Sequence, residues 1–312
     1  MAEPLVYIII TNYQGVANRY GSEPLLKVCL DSLLSKTRYT NYRVIVSDDK
    51  SHDGSVSFVK KNYPHVAVAV DRQGWNSART INNGIRSING PFDFALIMAN
   101  DVIVRDGAWL SRLVRDALKT DAGVTGCRLL YPSGRVQHAG YIADFPLRVV
   151  GRNDKNSKRY SRIRRADAVT AALMLISKKT MKGIGLFNEL YRFGPCDVEY
   201  CMEARKAGFT VICDGRVGLT HLEGATTTNS KGGDTKFRAF YYSQRDFIYF
   251  VKNNFGTWRL PYVFLYELLY SVISTDQVDG KRRLAAIRIK NAPLRRIYLT
   301  LKAWMDYVLR SD

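Results

Sequence analysis

Short apolar runs alternate with helical patterns along the first hundred residues of the chain. Each run is almost continuously apolar and rich in β-branched residues, which is typical of strands buried on both faces of a parallel sheet. The predicted strands cover residues 6–10, 42–46, 66–70 and 94–98. The predicted helices between them cover residues 23–36, 54–62 and 77–88. This alternation predicts an α/β fold with helices on both faces of the sheet.

The pattern changes after residue 126, where it predicts a mixed α+β arrangement that ends near residue 221. Here the predicted helices cover residues 178–183 and 198–207, and a predicted strand covers 210–213. A stretch rich in Gly, Thr, Ser and Asn predicts a loop over residues 224–235. Aromatic and basic helical patterns then cover residues 237–253, 262–273 and 294–309. We predict one α/β domain over residues 1–225 and a basic amphipathic helical extension over residues 226–312.

Polar residues follow the predicted strands at the points where the strands end. Ligands of open parallel sheets bind beyond the carboxyl ends of the strands, so these residues are the first candidates for a binding site. They are Thr11, Asn12, Asp48, Asp49, the segment 72–74, Asn100 and Asp101.

The chain is strongly basic, with 47 Lys and Arg against 28 Asp and Glu and a formal net charge of +19. Such a charge favours nucleic acid, an anionic membrane surface or an anionic small substrate as the partner. The sequence has neither a groove-reading helix nor an aromatic–basic module, so nucleic acid is the least favoured of the three. The basic and aromatic C-terminal helices favour an anionic membrane surface.

The cysteine spacing and the length of the apolar stretches indicate in which cellular compartment the protein is expected. None of the five cysteines has C-x-x-C spacing, which favours reduced, buried thiols over a zinc site or a disulfide framework. The longest late apolar stretch, residues 260–274, contains Pro261 and Glu267 and is shorter than the ~20 residues that a spanning helix needs. We therefore expect a cytoplasmic protein that associates peripherally with the inner face of the membrane.

Several short motifs lie between residues 5 and 225, and their combined order is more specific than any one of them. The motifs after the first strand cover residues 46–55, 74–84, 99–101, 130–140, 185–189, 197–199 and 207–209, and His221 follows them. In this order the chain resembles family 2 inverting glycosyltransferases of the GT-A fold, whose mostly parallel, Rossmann-like sheet is flanked by helices. Rhamnosyl-, galactosyl- and galactofuranosyl-transferases of cell-surface glycans are the most similar in pattern.

The resemblance implies a nucleotide-sugar site. The residues that match its nucleotide-binding positions are Thr11, Asn12, Asp48, Ser51, Gly74, Arg79 and Asn100. Gly74 permits a close backbone approach, and Arg79 can reach the oxygens of the diphosphate. The asparagine that usually follows this arginine is Thr80 here. Asp53 is interpreted as the N-cap of the next helix.

The resemblance also implies a divalent metal ion, Mn²⁺ or Mg²⁺, bound together with the diphosphate. Asp101 matches the last acid of a D-x-D-type motif, and a hard cation prefers such oxygen ligands. The first position of that motif is Ala99, which leaves a single carboxylate in the segment. His221 matches the family's second ligand, although a lone histidine is also found as a packing or capping residue.

Two acids at the start of a predicted helix are the candidate catalytic residues. Asp197 matches the family's general base, and Glu199 is a supporting acid. An inverting transfer needs one carboxylate to accept the proton of the attacking hydroxyl. The alternative is that both acids only stabilise the helix N-terminus.

These expectations combine into one predicted reaction, the transfer of a sugar from a UDP- or dTDP-linked donor to a hydroxyl of a glycan or lipid-linked acceptor. Two other functions stay open. Ala99 in the metal motif suits a catalytically silent nucleotide-sugar-binding protein, and the high charge suits a basic adaptor that binds polyanions or membranes. The chain lacks the Q-x-x-R-W motif of processive synthases, a P-loop, and a G-x-G-x-x-G after its first strand.

Overall fold

A ten-stranded sheet forms the centre of the molecule. The computed structural model describes residues 3–223, 233–274, 277–278, 281–282, 288–289 and 292–309. The strands of this sheet are β1 (Val6–Asn12), β2 (Tyr42–Asp48), β3 (Ala67–Val70), β4 (Phe94–Ala99), β5 (Val102–Ile103), β6 (Ala122–Leu130), β7 (Val136–His138), β8 (Ile163–Arg165), β9 (Leu173–Ser177) and β10 (Thr210–His221).

Helices cover both faces of the sheet and form the C-terminal region. They are α1 (Leu25–Lys36), α2 (Ser55–Asn62), α3 (Ser77–Arg86), α4 (Trp109–Thr120), α5 (Lys178–Ile184), α6 (Cys196–Lys206), α7 (Gly233–Phe255), α8 (Leu260–Val272) and α9 (Pro293–Leu309). Two 3₁₀ turns cover Lys158–Tyr160 and Thr257–Arg259. Two-stranded ribbons pair Arg19–Tyr20 with Glu23–Pro24, Tyr141–Ile142 with Arg148–Val149, Ile273–Ser274 with Arg288–Ile289, and Gln277–Val278 with Lys281–Arg282.

The main path of the sheet has the order β8-β10-β6-β9-β4-β1-β2-β3. Strands β3, β2, β1 and β4 are mutually parallel, which confirms the predicted parallel sheet. Strand β9 runs antiparallel between β4 and β6, and β10 is parallel to β6. The chain leaves β1 for β2 and β3 on one side and returns to β4 on the other. The crevice between the carboxyl ends of β1 and β4 is therefore the expected ligand site.

Strand β1 is buried on both faces, which explains its continuous apolar run. Ile8 and Ile10 belong to the core cluster that contains Leu30 of α1, whereas Ile9 belongs to the cluster on the other face. On that face α3 packs closely, since a Cβ added at Gly84 lies only 2.3 Å from Ile9 Cγ2. Close packing on both faces gives a rigid edge from which the polar residues after β1 and β4 project.

The C-terminal helices are packed onto the rest of the chain. Phe250 and Val251 of α7 lie in the same core cluster as Val198 of α6, and Ile248 packs with Ala303 of α9. The predicted loop over 224–235 lies outside the described residues as far as 232, and α7 already begins at Gly233. The domain boundary near residue 225 stays a prediction. Helix α7 shares a hydrophobic core with the domain that precedes it. Among the described helices, none is both long and apolar enough to cross a bilayer.

Candidate active site

A cavity of about 390 Å³ opens at the carboxyl ends of β1 and β4. Seven of the residues singled out from the sequence contribute to its wall, and they come from five separate parts of the chain. They are Thr11, Asn12, Asp49, Asn100, Asp101, Asp197 and His221. Tyr13, Trp75 and Arg192 also face this cavity and were not assigned to the site from the sequence. The sheet therefore gathers the distant motifs at the predicted edge.

A buried hydrogen-bond network holds the amides of the cavity floor. Asn12 Nδ2 donates to Asp48 Oδ2 at 2.7 Å, and Asn100 Nδ2 donates to Asn12 Oδ1 at 2.7 Å. Asp48 Oδ1 accepts a 2.8 Å bond from the backbone N–H of Ser51. Asp48 and Ser51 lie behind the cavity wall in this arrangement, and they orient the amide of Asn12.

Asp53 fastens the loop that follows β1. Its Oδ2 accepts hydrogen bonds from the backbone N–H groups of Val16 and Ala17, at 2.8 and 2.7 Å. The N-cap of α2 is Gly54, with a φ of 83°, and Asp53 Oδ1 accepts a 3.0 Å bond from the N–H of Ser55, the first residue of that helix. The prediction that Asp53 is only the N-cap of α2 is therefore wrong, because Asp53 precedes the N-cap and its other carboxylate oxygen holds the loop after β1.

Asp49, which directly follows Asp48, places a carboxylate at the cavity wall. Burial and the neighbouring negative charge of Asp71 raise the pKa of Asp49 to about 6, although Arg79 opposes the shift. The sequence places Asp49 among the polar residues that follow the second strand, although only Asp48 was matched to a nucleotide-binding position.

Asp101 and His221 form the cavity's acid–imidazole pair, with His221 Nε2 3.0 Å from Asp101 Oδ1. His221 Nδ1 lies 2.6 Å from Gln137 Oε1, and Gln137 Nε2 donates to the His221 carbonyl at 3.1 Å. Burial lowers and the Asp101 carboxylate raises the pKa of His221, and the net shift is upward. Gln137 therefore fixes the imidazole so that Nε2 faces the carboxylate.

The Asp101–His221 pair fits a divalent cation that binds together with a diphosphate. The pair offers one carboxylate oxygen and one imidazole nitrogen, and Mn²⁺ accepts both types of ligand. Ala99 also lines the cavity, but its side chain has no atom that can bind a metal. The described part of the chain contains no group of three His, Cys, Asp or Glu side chains able to hold a metal. Because the protein supplies only two ligands here, oxygens of a bound diphosphate would complete the coordination of the cation.

Asp197 lies in the first turn of α6 and faces the cavity. Its Oδ2 accepts a 3.0 Å bond from Ala171 N–H, and its Oδ1 accepts one from Val198 N–H. Burial raises the pKa of Asp197 above its ordinary value, and these hydrogen bonds partly oppose the shift. The result is a fixed carboxylate with increased basicity at the cavity wall.

Glu199 does not reach the cavity wall. Two residues along a helix turn the side chain by about 200°, so Glu199 points away from the face that carries Asp197. Its Oε1 accepts a 3.2 Å hydrogen bond from Asn188 Nδ2. Burial raises the pKa of Glu199 as well. The arrangement places this acid between α6 and the segment that precedes it.

Arg79 and Gly74 form a turn beside the cavity. Arg79 Nε donates to Asp71 Oδ2 and its Nη2 donates to the Gly74 carbonyl, both at 2.8 Å. Gly74 has a φ of 72°, in the left-handed region that favours glycine. The guanidinium of Arg79 is thus engaged by the turn and does not belong to the cavity wall.

Arg192 is the arginine that does line the cavity. Its Nη1 donates to Tyr242 Oη at 3.1 Å, and its guanidinium carbon lies 5.1 Å from the centre of that ring. Its backbone N–H donates to Asp246 of α7. Within the described residues it forms no ion pair with a carboxylate and is the one Lys or Arg in the cavity wall.

The family model for "Glycosyl transferase family 2" matches residues 7–173, more than half of the chain. The chain belongs to glycosyl transferase family 2. The matched span contains the network behind Asn12 as well as Asp101, whereas Asp197 and His221 lie beyond it.

Two curated relatives are similar to this family 2 chain in sequence. The O-antigen biosynthesis protein RfbC of Myxococcus xanthus is 27% identical over 218 residues, which cover 65% of this chain and 16% of that protein. The uncharacterized protein y4gI of Sinorhizobium fredii is 26% identical over 235 residues, or 72% of this chain and 25% of that protein. The chain thus spans a quarter or less of the length of these relatives.

Solved structures of three glycosyltransferases share the GT-A fold with this family 2 chain. The mannosyltransferase PcManGT of Pyrobaculum calidifontis, in complex with GDP-Man and Mn²⁺, has a TM-score of 0.56 at 14% identity and covers 99% of this chain and 76% of its own. GalNAc-T7 with UDP, GalNAc and Mn²⁺ has a TM-score of 0.55 at 13% identity, covering 81% and 52%. S. aureus TarS has a TM-score of 0.52 at 13% identity, covering 86% and 43%.

The start of α7 borders the cavity of this family 2 chain. Thr235 belongs to the cavity wall, and the Arg238 guanidinium lies 4.6 Å from the Trp75 ring centre. Trp75 in turn meets Tyr13 edge to face, with ring centres 5.3 Å apart. Thr235 and Arg238 lie at least 160 positions after Trp75 in the sequence, so only the folded chain reveals that α7 is part of the site.

Proposed function

We propose that this family 2 chain transfers a sugar from a UDP- or dTDP-linked donor to a hydroxyl of a glycan or lipid-linked acceptor, with inversion. The observation that carries the proposal is the convergence of the Asp197 carboxylate and the Asp101–His221 pair on one cavity. A transfer of this kind needs a base on one side of the anomeric carbon and charge stabilisation for the departing diphosphate on the other.

Asp197 acts as the general base. Its carboxylate accepts the proton of the acceptor hydroxyl while that oxygen bonds to the anomeric carbon and the bond to the diphosphate breaks. The single displacement inverts the anomeric configuration. The raised pKa of Asp197 supports this role, since a more basic carboxylate takes up the proton more readily. The Ala171 and Val198 N–H groups hold both oxygens in place during the transfer.

Asp101 and His221 would hold the Mn²⁺ or Mg²⁺ ion, which would supply positive charge to the departing diphosphate. His221 would bind the ion through Nε2, the ring nitrogen that Gln137 keeps directed towards Asp101. The solved structures of two GT-A neighbours, PcManGT and GalNAc-T7, contain Mn²⁺, which supports the use of a metal ion by this chain.

Arg192 provides the fixed cation for the diphosphate, and Arg79 shapes the Gly74 turn. This division follows from their partners, because Asp71 already neutralises Arg79 whereas Arg192 faces the cavity without a carboxylate among the described residues. A guanidinium without a carboxylate partner at a cavity wall favours a doubly anionic ligand. Asn12 and Asn100 are left to contact the nucleoside.

The acceptor belongs to cell-surface glycan synthesis in this proposal. The relative from Myxococcus xanthus carries the name of an O-antigen biosynthesis protein, and its matched stretch covers 65% of this chain. A sugar hydroxyl of a growing, lipid-linked glycan is the acceptor class that fits that name.

The direct test measures nucleotide release from UDP-, dTDP- and GDP-sugars in the presence of lipid-linked glycan acceptors, together with NMR of the product's anomeric proton. We expect one donor class to be consumed, an inverted product, and loss of turnover in Asp197→Asn with nucleotide affinity retained. Normal turnover by Asp197→Asn contradicts the base assignment. Tight nucleotide binding with no turnover on any acceptor favours the catalytically silent binding protein.

A further inference from the structure

The two last helices carry their most apolar side chains on the outside. On α8, Leu265 and Leu269 are 59% and 61% exposed and Tyr262 adjoins them on the same face. The spacing of these three positions is that of one helical stripe. The opposite side of α8, which is buried, consists of Val263, Glu267 and Ser271.

Helix α9 shows the same arrangement. Its exposed large side chains recur at intervals of three and four residues and include Leu294, Tyr298, Leu301 and Met305. Its buried residues are Thr300, Ala303 and Tyr307. We call the exposed apolar side chains of α8 and α9, together with Trp258 just before α8, the outer face.

This sorting is the reverse of that in a water-exposed amphipathic helix. There the leucines face the core and the polar residues face solvent. In α8 and α9, Glu267, Ser271 and Thr300 are buried while the leucines are exposed. Packing against the rest of the protein therefore does not explain why the exposed side of these helices is apolar. An apolar patch shared by two adjacent helices is a mark of an interaction surface.

The charges around the outer face are positive. Arg259 lies over the exposed Trp258 ring at 4.3 Å, and the exposed Arg295, next to Leu294 on α9, lies over the Phe237 ring of α7 at 3.9 Å. The acidic residues in the described parts of α8 and α9 add no free negative charge to the outer face, since Glu267 is buried and Asp306 is paired with Lys302. Tryptophan, tyrosine and arginine beside leucines form the side-chain set that lies at the boundary between lipid headgroups and acyl chains.

We propose that the outer face docks this protein on an anionic lipid bilayer, with α8 and α9 lying in the plane of the membrane. The helices are about 20 and 25 Å long, shorter than the ~30 Å hydrocarbon core, so they lie on the bilayer and do not span it. A second copy of the chain is the less suitable occupant, because the same basic residues would then meet across the interface. The proposal is independent of the sugar-transfer chemistry.

Co-sedimentation of the full chain with vesicles tests the proposal. We use phosphatidylcholine vesicles and vesicles of equal parts phosphatidylcholine and phosphatidylglycerol, and follow the emission of Trp258 by comparison with Trp258→Phe. We expect binding to the anionic vesicles, weakened by salt, with a blue shift that Trp258→Phe lacks. The combined variant Leu265→Gln, Leu269→Gln, Leu301→Gln and Met305→Gln is expected to bind on the order of 100-fold more weakly.

The matched control is Leu118→Gln, which replaces a leucine that is 57% exposed on α4, outside the outer face. It is expected to bind vesicles like the unchanged protein, and circular dichroism shows whether each variant is folded. Absence of vesicle binding by the unchanged protein overturns the proposal. So does an unchanged affinity of the folded combined variant. A dimer in solution that the combined variant dissolves, without vesicle binding, assigns the outer face to a second copy instead.

Discussion

The carboxyl edge of the sheet and the C-terminal helices sort their side chains in opposite ways. At the sheet edge, polar groups such as Asn12 and Asp48 are buried but satisfied by one another, and apolar residues fill the core behind them. In α8 and α9, leucines are exposed and a carboxylate is buried. The first arrangement is organised to bind a small polar ligand in a cavity. The second is organised to meet a large apolar surface.

The largest effect is expected at the cavity, where two acids of one helix differ in role. Asp197→Asn removes the proposed base, and we expect kcat to fall by about 10³-fold. Glu199→Gln changes an acid that contacts Asn188 outside the cavity, so its kcat is expected to fall by less than about tenfold. Steady-state kinetics of both variants decide the matter. Equal losses mean that Glu199 also takes part in the chemistry.

The second prediction compares buried and outward side chains of the same helix. Val263 is fully buried, and Val263→Ala is expected to lower the free energy of unfolding by about 2 kcal/mol through lost burial and a cavity. Leu265→Ala, on the outer face, is expected to stay within about 0.5 kcal/mol. Urea unfolding measures both. A similar loss in the two variants shows that Leu265 is packed against protein in solution.

The third prediction separates the two arginines near the cavity. Arg192→Ala removes the cavity cation, and we expect the donor KM to rise about tenfold, with partial recovery in Arg192→Lys. Arg79→Ala breaks the Asp71 pair and is expected to lower the melting temperature more than it raises the donor KM. If Arg79→Ala raises the donor KM and Arg192→Ala does not, the roles are exchanged.

The smallest effect concerns Glu267, which is buried between α8 and α9 and accepts a 2.8 Å bond from Trp304 Nε1. Burial holds the pKa of Glu267 well above its ordinary value of 4.5. The folded carboxyl therefore binds its proton more tightly than the unfolded one, and stability declines as pH rises from the ordinary value through the raised pKa.

Glu267→Gln removes that decline. We expect it to increase the free energy of unfolding by about 1 kcal/mol at about pH 8, and by less at about pH 4. Urea unfolding at the two pH values is the measurement. A difference that does not change with pH contradicts the buried, proton-binding state of Glu267.

Much of the fold follows from local pattern. The continuous apolar runs predicted β1 to β4, and the structure confirms each to within two residues at its ends. Helix α1 begins at Leu25 and not at residue 23 because Glu23–Pro24 pair with Arg19–Tyr20. Strand β9 was not predicted, and its antiparallel direction was not either, since an apolar run does not encode the direction of its neighbours. Helix α4 was also missed, although Leu110, Leu113 and Val114 give it a helical stripe.

The site was predictable where its residues follow strands. Asn12, Asn100 and Asp101 were found this way because carboxyl ends of parallel strands share one edge. Gln137, Arg192 and Trp75 were not assigned, because their roles depend on contacts with residues far away in sequence. Gln137 meets His221 across 84 positions. The pairing of Arg79 with Asp71 likewise depends on side-chain directions that the spacing of the motif does not define.

The central claim is a nucleotide-sugar site that uses a metal at Asp101 and His221. Titration calorimetry of UDP, dTDP and GDP, each with and without Mn²⁺, tests it most directly, with the unchanged protein beside Asp101→Ala. The account predicts that one nucleotide binds at least about tenfold more tightly with Mn²⁺ and that Asp101→Ala abolishes this gain. Nucleotide affinity that is absent, or that neither Mn²⁺ nor Asp101→Ala alters, would contradict it.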